Sequence, residues 1–163
     1  MKMKKNSNWS EKEKDFYKLR DELLAKVDLA DYVDHPHLFT NRQAVTGHLV
    51  RINLYNKILD VKGSVVECGV HKGDSLMLYY HLSTILEPVS FNRKIYGFDT
   101  FEGFRSLSKK DDSGLDENMF SDTSYETLKS AVEIHDLNRF VSHIPKCELV
   151  KGDAVKTIPK FKQ

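Results

Sequence analysis

The pattern of apolar and polar positions divides the chain into a helical N-terminal part and a later run of alternating strands and helices. Ser10 opens a helix. With Glu13 three residues on it has the form of a capping box. Phe16, Leu19, Leu23, Leu24 and Val27 then recur at three- and four-residue spacing as one apolar stripe. Pro36 disfavours helix at His35 and breaks the chain there. A second amphipathic helix is predicted from Asn41 to Leu59, with Val45, Leu49, Ile52, Tyr55 and Leu59 on its apolar face. Val65–Cys68 is short, β-branched and bounded by glycines, and reads as a buried strand. A third helix, capped by Asp74 or Ser75, carries Leu76, Leu78, Tyr79, Leu82 and Leu86 and stops at Pro88. Lys94–Phe98 is a second strand ending in Asp99. Ser124–His135 is helical, Cys147–Val150 is a third strand, and Val155 and Ile158 begin another helix.

Strand–helix–strand–helix–strand with short apolar strands predicts an α/β fold with right-handed βαβ crossovers and a parallel sheet, preceded by two helices. The expected organisation is a flexible basic tail at 1–9, a helical segment at 10–60 and an α/β region at 61–163. Residues 102–123 are polar and turn-rich, and a loop of that length inside a domain reads as a lid or binding loop.

Composition narrows the classes of function. At 163 residues this is one domain's worth of sequence, able to bury about 68–70% of its unfolded surface. The 25 basic and 24 acidic side chains nearly cancel, which excludes a strongly basic nucleic-acid binder. No apolar run approaches the roughly 20 residues of a membrane span. The N-terminus is charged and lacks the apolar stretch of a signal peptide. The expectation is a soluble, cytoplasmic protein with no membrane or nucleic-acid partner. Cys68 and Cys147 cannot build a disulfide framework, and Cys68 reads as a small buried apolar residue.

The chemistry concentrates at strand ends. The first strand runs into a glycine-containing loop, Gly69 to Gly73, and then a helix. Glycines allow close backbone approach and positive φ, and a helix N-terminus presents unpaired N–H groups. The spacing is E-x-G-x-x-x-G, neither the dinucleotide fingerprint nor a phosphate-binding P-loop. Glu67 beside the loop and Asp74 at the helix start would repel a pyrophosphate. Two like charges at 4 Å interact by about 4 kcal/mol at an effective dielectric of 20. The cationic, phosphate-free S-adenosylmethionine (SAM) suits these acids better, although Asp74 also serves as a helix cap. Asp99, at the end of the second strand, can accept both hydroxyls of a ribose. Asp153 follows the third strand and can accept from an adenine amino group. A plain Gly152-Asp153 turn is the competing interpretation. His35 and His37 have no further ligand-type residues spaced around them and are not read as a metal site.

Three sequence stretches, VVECGVHKGDS (65–75), IYGFDTFEGF (95–104) and ELVKGDAVKTIP (148–159), resemble successive motifs of SAM-dependent methyltransferases. The nearest pattern is that of the macrocin O-methyltransferase (TylF-like) family, which methylates hydroxyls of sugars. The resemblance covers about residues 40–160 and includes the helix SYETLKSAVEIHDL (124–137). The family reads GFDSFEGLP where this chain has Thr100 for serine and Phe104-Arg105 for Leu-Pro.

The resemblance implies a Rossmann-like methyltransferase fold and a SAM cofactor. It implies that Glu67, Gly69, Gly73 and Ser75 hold the methionine end, that Asp99, Thr100 and Phe101 surround the ribose, and that Asp153 takes the adenine. Magnesium is possible in a full-length parent. The family's magnesium-binding acids and base come from a fourth strand onward and have no match here, so no catalytic residue is identified. The chain is therefore expected to be a truncated form of that fold, ending after the third strand. Val65 and Val66 would then lie on an open sheet edge that favours homo-oligomers. The acceptor is expected to be a sugar or other small molecule. The competing expectations are an NAD(P)- or nucleotide-binding α/β enzyme and a non-catalytic oligomerisation module.

Overall fold

A computed structural model describes residues 9–104, 107, 110–111 and 114–162. Most of the expected tail and parts of the 102–123 loop, including Arg105, lie outside the described residues. The described elements are α1 (Glu11–Leu24), α2 (Leu29–Asp34), α3 (Arg42–Asn56), β1 (Val65–Cys68), α4 (Asp74–Leu86), β2 (Ile95–Asp99), α5 (Tyr125–Asp136), β3 (Cys147–Lys151) and α6 (Ala154–Thr157). The chain divides into two compact units, 1–47 and 48–163, with the boundary inside α3.

In the first unit, α1 begins with the expected capping box. The Glu13 N–H donates to Ser10 Oγ at 3.3 Å, and the Ser10 N–H donates to Glu13 Oε2 at 2.9 Å. The apolar stripe of α1 is nevertheless not buried, and Phe16, Leu19 and Leu23 are exposed. The sequence pattern missed α2, a short helix capped by Asp28, and the 3-10 turn Pro36–Leu38 that follows it.

The second unit is built on a sheet of parallel strands in the order β1-β2-β3. Alternation sends Ile95 and Gly97 of β2 to one face and Tyr96 and Phe98 to the other. On the first face α4 and α5 close the core with Leu76, Tyr80, Leu128 and Val132 over Ile95 and Cys147. Gly97 is needed there because a Cβ would lie 2.9 Å from Leu76 Cδ2. On the opposite face the Phe161 ring packs edge-on against Tyr96 and Phe98, with centroids 4.8 and 5.2 Å apart. β2 is covered on both faces and is buried along nearly its whole length.

β1 departs from expectation. It alternates instead of being buried, with Val66 54% exposed and Cys68 also exposed. The reason is its position at the sheet edge, where one face has no covering element among the described residues. α3 ends at Asn56, before Leu59, and of its expected apolar face only Tyr55 is buried. Two buried cations escaped the sequence pattern. Arg93 donates to the carbonyls of Ile58, Val61 and Gly63 at 2.8–3.0 Å, and Lys146 Nζ donates to Ser90 O at 3.0 Å.

Candidate functional site

The C-terminal ends of the parallel strands converge on a cavity of about 360 Å³. Its wall includes Gly69 after β1, Asp99 and Thr100 after β2, and Gly152 and Ala154 after β3. His71, Gly103, Phe104 and Phe120 complete it. Pockets for drug-sized ligands begin at about 300 Å³, and the crevice beyond strand ends is where α/β sheets hold ligands.

The loop after β1 has a tightly wound backbone. Gly69 (φ +82°), His71 (φ +52°) and Gly73 (φ +88°) all adopt left-handed conformations. The Gly69 N–H still continues the ladder to Phe98 O at 2.8 Å, and a Cβ on Gly69 would meet nothing within 4 Å. Gly73 is different, because its missing side chain is filled by Leu128 Cδ1, 2.4 Å from where a Cβ would stand. Gly73 is also the N-cap of α4, so the expected side-chain cap by Asp74 or Ser75 is not made. Ser75 instead turns its hydroxyl to Glu67 Oε1.

Glu67 lies on the α4 side of β1. Its Oε2 is buried and has no hydrogen-bond partner among the described residues. Burial pushes the carboxyl above its ordinary range, and the Ser75 hydrogen bond and the Arg51 guanidinium only partly offset this. From the sequence, Arg51 on the second helix could face either the cofactor or solvent; the structure brings its charge to bear on Glu67.

Asp99 uses both oxygens on backbone. The His71 N–H donates to Oδ2 and the Phe101 N–H to Oδ1, each at 2.7 Å. A carboxylate has about four acceptor positions, so room for two further donors remains. Thr100 donates to Gly103 O at 2.7 Å and ties back the start of the long loop. Phe101 (φ +56°) points its ring into the core against Tyr125, not into the cavity. Asp153 caps α6, accepting from the Val155 N–H at 3.0 Å, while Gly152 next to it lines the cavity.

The end of the long loop closes on the glycine loop. Asp122 takes His71 Nε2 at 2.9 Å and Lys72 Nζ at 2.8 Å, one on each oxygen. Thr123 donates its hydroxyl to His71 O. The Phe120 ring stands edge-on to the His71 imidazole, 5.3 Å between centroids. His71 thus acts through both its backbone and its imidazole; its place inside the glycine loop pointed more to the backbone than to the ring. A larger groove of about 670 Å³ lies beyond this clasp, lined by α4, α5 and residues such as His48, Lys72 and Asp122. Gly73 borders this groove. None of the strand-end residues of the smaller cavity does.

The chemistry of the donor set fits SAM. There is an unpartnered buried carboxylate oxygen at Glu67, open space over Gly69, and a carboxylate with spare acceptor positions at Asp99. Among the described residues no group of three or more His, Cys, Asp or Glu is placed to hold a metal ion. No described helix is long and apolar enough to cross a membrane.

No protein-family model matches this sequence, and no curated protein does. Solved structures do match. The crystal structure of CalS11, a calicheamicin methyltransferase, aligns with a TM-score of 0.84 and 27% identity over 98% of this chain and 67% of that chain. The apo structure of CalS11, a TDP-rhamnose 3'-O-methyltransferase of calicheamicin biosynthesis, aligns with a TM-score of 0.73 and 28% identity. That alignment covers 94% of this chain and 60% of that one. The chain has a Rossmann-like methyltransferase fold, and the likeness supports a relationship to methyltransferases.

Proposed function

We propose that the strand-end cavity binds SAM and that the chain carries the donor-binding machinery of an O-methyltransferase acting on a sugar hydroxyl or similar small molecule. The observation that carries this reading is the buried, unpartnered Oε2 of Glu67 near the end of β1, next to the glycine loop whose Gly69 lines the cavity together with Asp99. A carboxylate oxygen without a partner is costly unless a donor or cation completes it. The ammonium of SAM is such a donor, and a pyrophosphate is not.

Glu67, oriented by Ser75, would hold the methionine ammonium, and Gly69 would let that end approach the backbone. Asp99 would accept the ribose hydroxyls on its two remaining acceptor positions, next to Thr100, while Phe101 anchors the turn from within the core. Gly152 and Asp153 would border the adenine, with Asp153 accepting from its amino group. When bound, SAM supplies a methyl group on a positively charged sulfur, open to in-line attack by a hydroxyl. Phe104 and Phe120 give that side of the cavity an apolar wall. No residue is assigned here to take the hydroxyl proton, and no step is derived through a metal.

Three motifs support a TylF-like affiliation within the methyltransferases. The CalS11 structures, which belong to a sugar-modifying enzyme, support a sugar acceptor. Two free cysteines accord with a reducing, cytoplasmic setting, and the free edge of β1 favours association between copies.

The test is a thermal melt and calorimetric titration of this chain with S-adenosylhomocysteine, with NAD as control. Stabilisation by S-adenosylhomocysteine alone is expected. Stabilisation by NAD alone would replace this reading with a dinucleotide-binding one.

A further inference from the structure

We infer that Asp122 sets the charge selectivity of the strand-end cavity by neutralising Lys72 and holding the His71 ring, so that the site favours a cationic cofactor over an anionic nucleotide. The inference rests on the SAM reading of the cavity.

A glycine-rich loop that carries a lysine and opens a helix N-terminus has the parts of an anion site. This chain has those parts in Gly69, Lys72, Gly73 and the start of α4. What the structure adds is a carboxylate that removes the lysine from that role. Lys72 Nζ and His71 Nε2 sit on separate oxygens of Asp122, at 2.8 and 2.9 Å. The two hydrogen bonds, Lys72 first and His71 second, hold the Asp122 carboxyl well below the usual carboxylate range, so it stays charged at any physiological pH. His71 lines the cavity, and Asp122 lies one imidazole away from it.

Of the other charged groups around the glycine loop, Arg51 is already spent on Glu67, and the rest are acids or are paired with one. Glu67 and Asp99 are acids, and Asp74 stands 3.5 Å from His48. With Asp122 in place, Lys72 and the His71 ring are both paired and the acids dominate. Without it, the Lys72 ammonium at the edge of the larger groove and the His71 ring on the cavity wall both lose their carboxylate partner. A charge at the rim of a site acts chiefly on selectivity between ligands and contributes little to stability.

Asp122 also stands where removal of its charge leaves the local shape intact. Thr123 bonds to His71 O, and Phe120 packs on the imidazole, independently of the carboxylate. Asp122→Asn therefore isolates the charge.

The experiment compares SAM, S-adenosylhomocysteine and ADP by calorimetry at low ionic strength, where exposed charges are least screened. SAM and S-adenosylhomocysteine differ by the sulfonium charge, so their ratio reads the field at the sulfur. Asp122→Asn is expected to weaken SAM by about threefold or more, to leave S-adenosylhomocysteine within about twofold, and to strengthen ADP by about threefold. Asp122→Glu restores the preference. Lys72→Gln shifts it the opposite way, which keeps the test decisive if Asp122→Asn folds poorly. A parallel loss of SAM and S-adenosylhomocysteine would mean that Asp122 only shapes the loop, and would overturn the inference. Unchanged affinities for all three ligands would do the same. A wild-type chain that binds neither sulfur compound overturns the SAM reading itself, and this inference with it.

Discussion

The His71 backbone N–H donates to Asp99 Oδ2 at 2.7 Å, joining the glycine loop after β1 to the acid at the end of β2. Asp99 is therefore both a ligand-facing group and the tie that holds the loop in its left-handed turn. Asp99→Ala is expected to weaken binding of SAM or S-adenosylhomocysteine at least tenfold, or about 1.4 kcal/mol. Calorimetry checks this, and unchanged affinity would remove Asp99 from the site.

Glu67 gives a prediction in which stability and binding move in opposite directions. Its folded pKa is raised above the unfolded value, chiefly by burial. Its contribution to stability is thus fully present below the unfolded pKa and is lost as pH rises through the folded one. Glu67→Gln removes the buried charge. It is expected to raise the melting temperature of the ligand-free chain at pH 7 by a few degrees, with the gain vanishing below about pH 4.5. The same variant is expected to lose SAM affinity about tenfold, as the ammonium loses its counter-charge.

The two glycines of the loop are expected to respond differently to alanine. At Gly73 the new methyl would meet Leu128 Cδ1 at 2.4 Å in a left-handed backbone. Overpacking plus backbone strain is expected to cost about 2–4 kcal/mol in denaturant titration. The second change Leu128→Ala should recover the packing part of that loss in the double variant. At Gly69 the methyl meets nothing. Only strain of about 1–2 kcal/mol is expected there, with the main loss in ligand binding as the methyl enters the space over the loop.

The buried Arg93 and partly buried Glu87 pair at 2.7 Å, and Arg93 fastens the segment after α3 to the start of β2; the Tyr55 hydroxyl meets the same Glu87 oxygen at 2.6 Å. Arg93→Ala leaves three carbonyls without their donor and Glu87 with Tyr55 alone, and is expected to cost about 3 kcal/mol. Burial pushes the Glu87 carboxyl up, but the hydrogen bonds from Tyr55 and Arg93 and the arginine charge outweigh it and leave it below its ordinary range. Its stabilisation is present above the unfolded pKa and is lost as pH falls through the folded one. Acid titration of the wild type against Glu87→Gln should show a steeper acid loss in the wild type.

The two thiols should separate under native labelling. Cys68 is exposed on the β1 edge. Cys147 is buried, and burial, with Asp136, Glu148 and Glu67 nearby, pushes its thiol up to about 12. One thiol per chain is expected to react with a maleimide in the folded state and both after unfolding, as read by mass spectrometry.

The order of elements in the second unit was legible because the signals are local. Val65-Val66 between glycines, Asp99 after an apolar run and Ser124 ahead of a helical stripe each depend on a few neighbouring residues. The strand-end cavity followed, since parallel strands bring their C-terminal ends together wherever they lie in the chain. Other features depend on partners far along the chain. Asp122 meets His71 across 51 residues, and Leu128 fills the space at Gly73. Arg93 reaches back 35 residues to Ile58. No pattern in a short window encodes such pairs.

The apolar stripe of α1 and the buried reading of β1 failed for a related reason. Periodicity marks which side of an element is apolar, and only packing decides whether anything covers it. The sequence by itself determined the βαβ alternation, the glycine loop and the acids at the strand ends, because backbone propensity and residue chemistry are properties of short segments. The tertiary structure decided which of those acids is unpartnered, which glycine makes room for a side chain and which for open space, and that Asp122 pairs with the loop's cations. Those depend on burial and charge proximity, which exist only once distant segments are packed together.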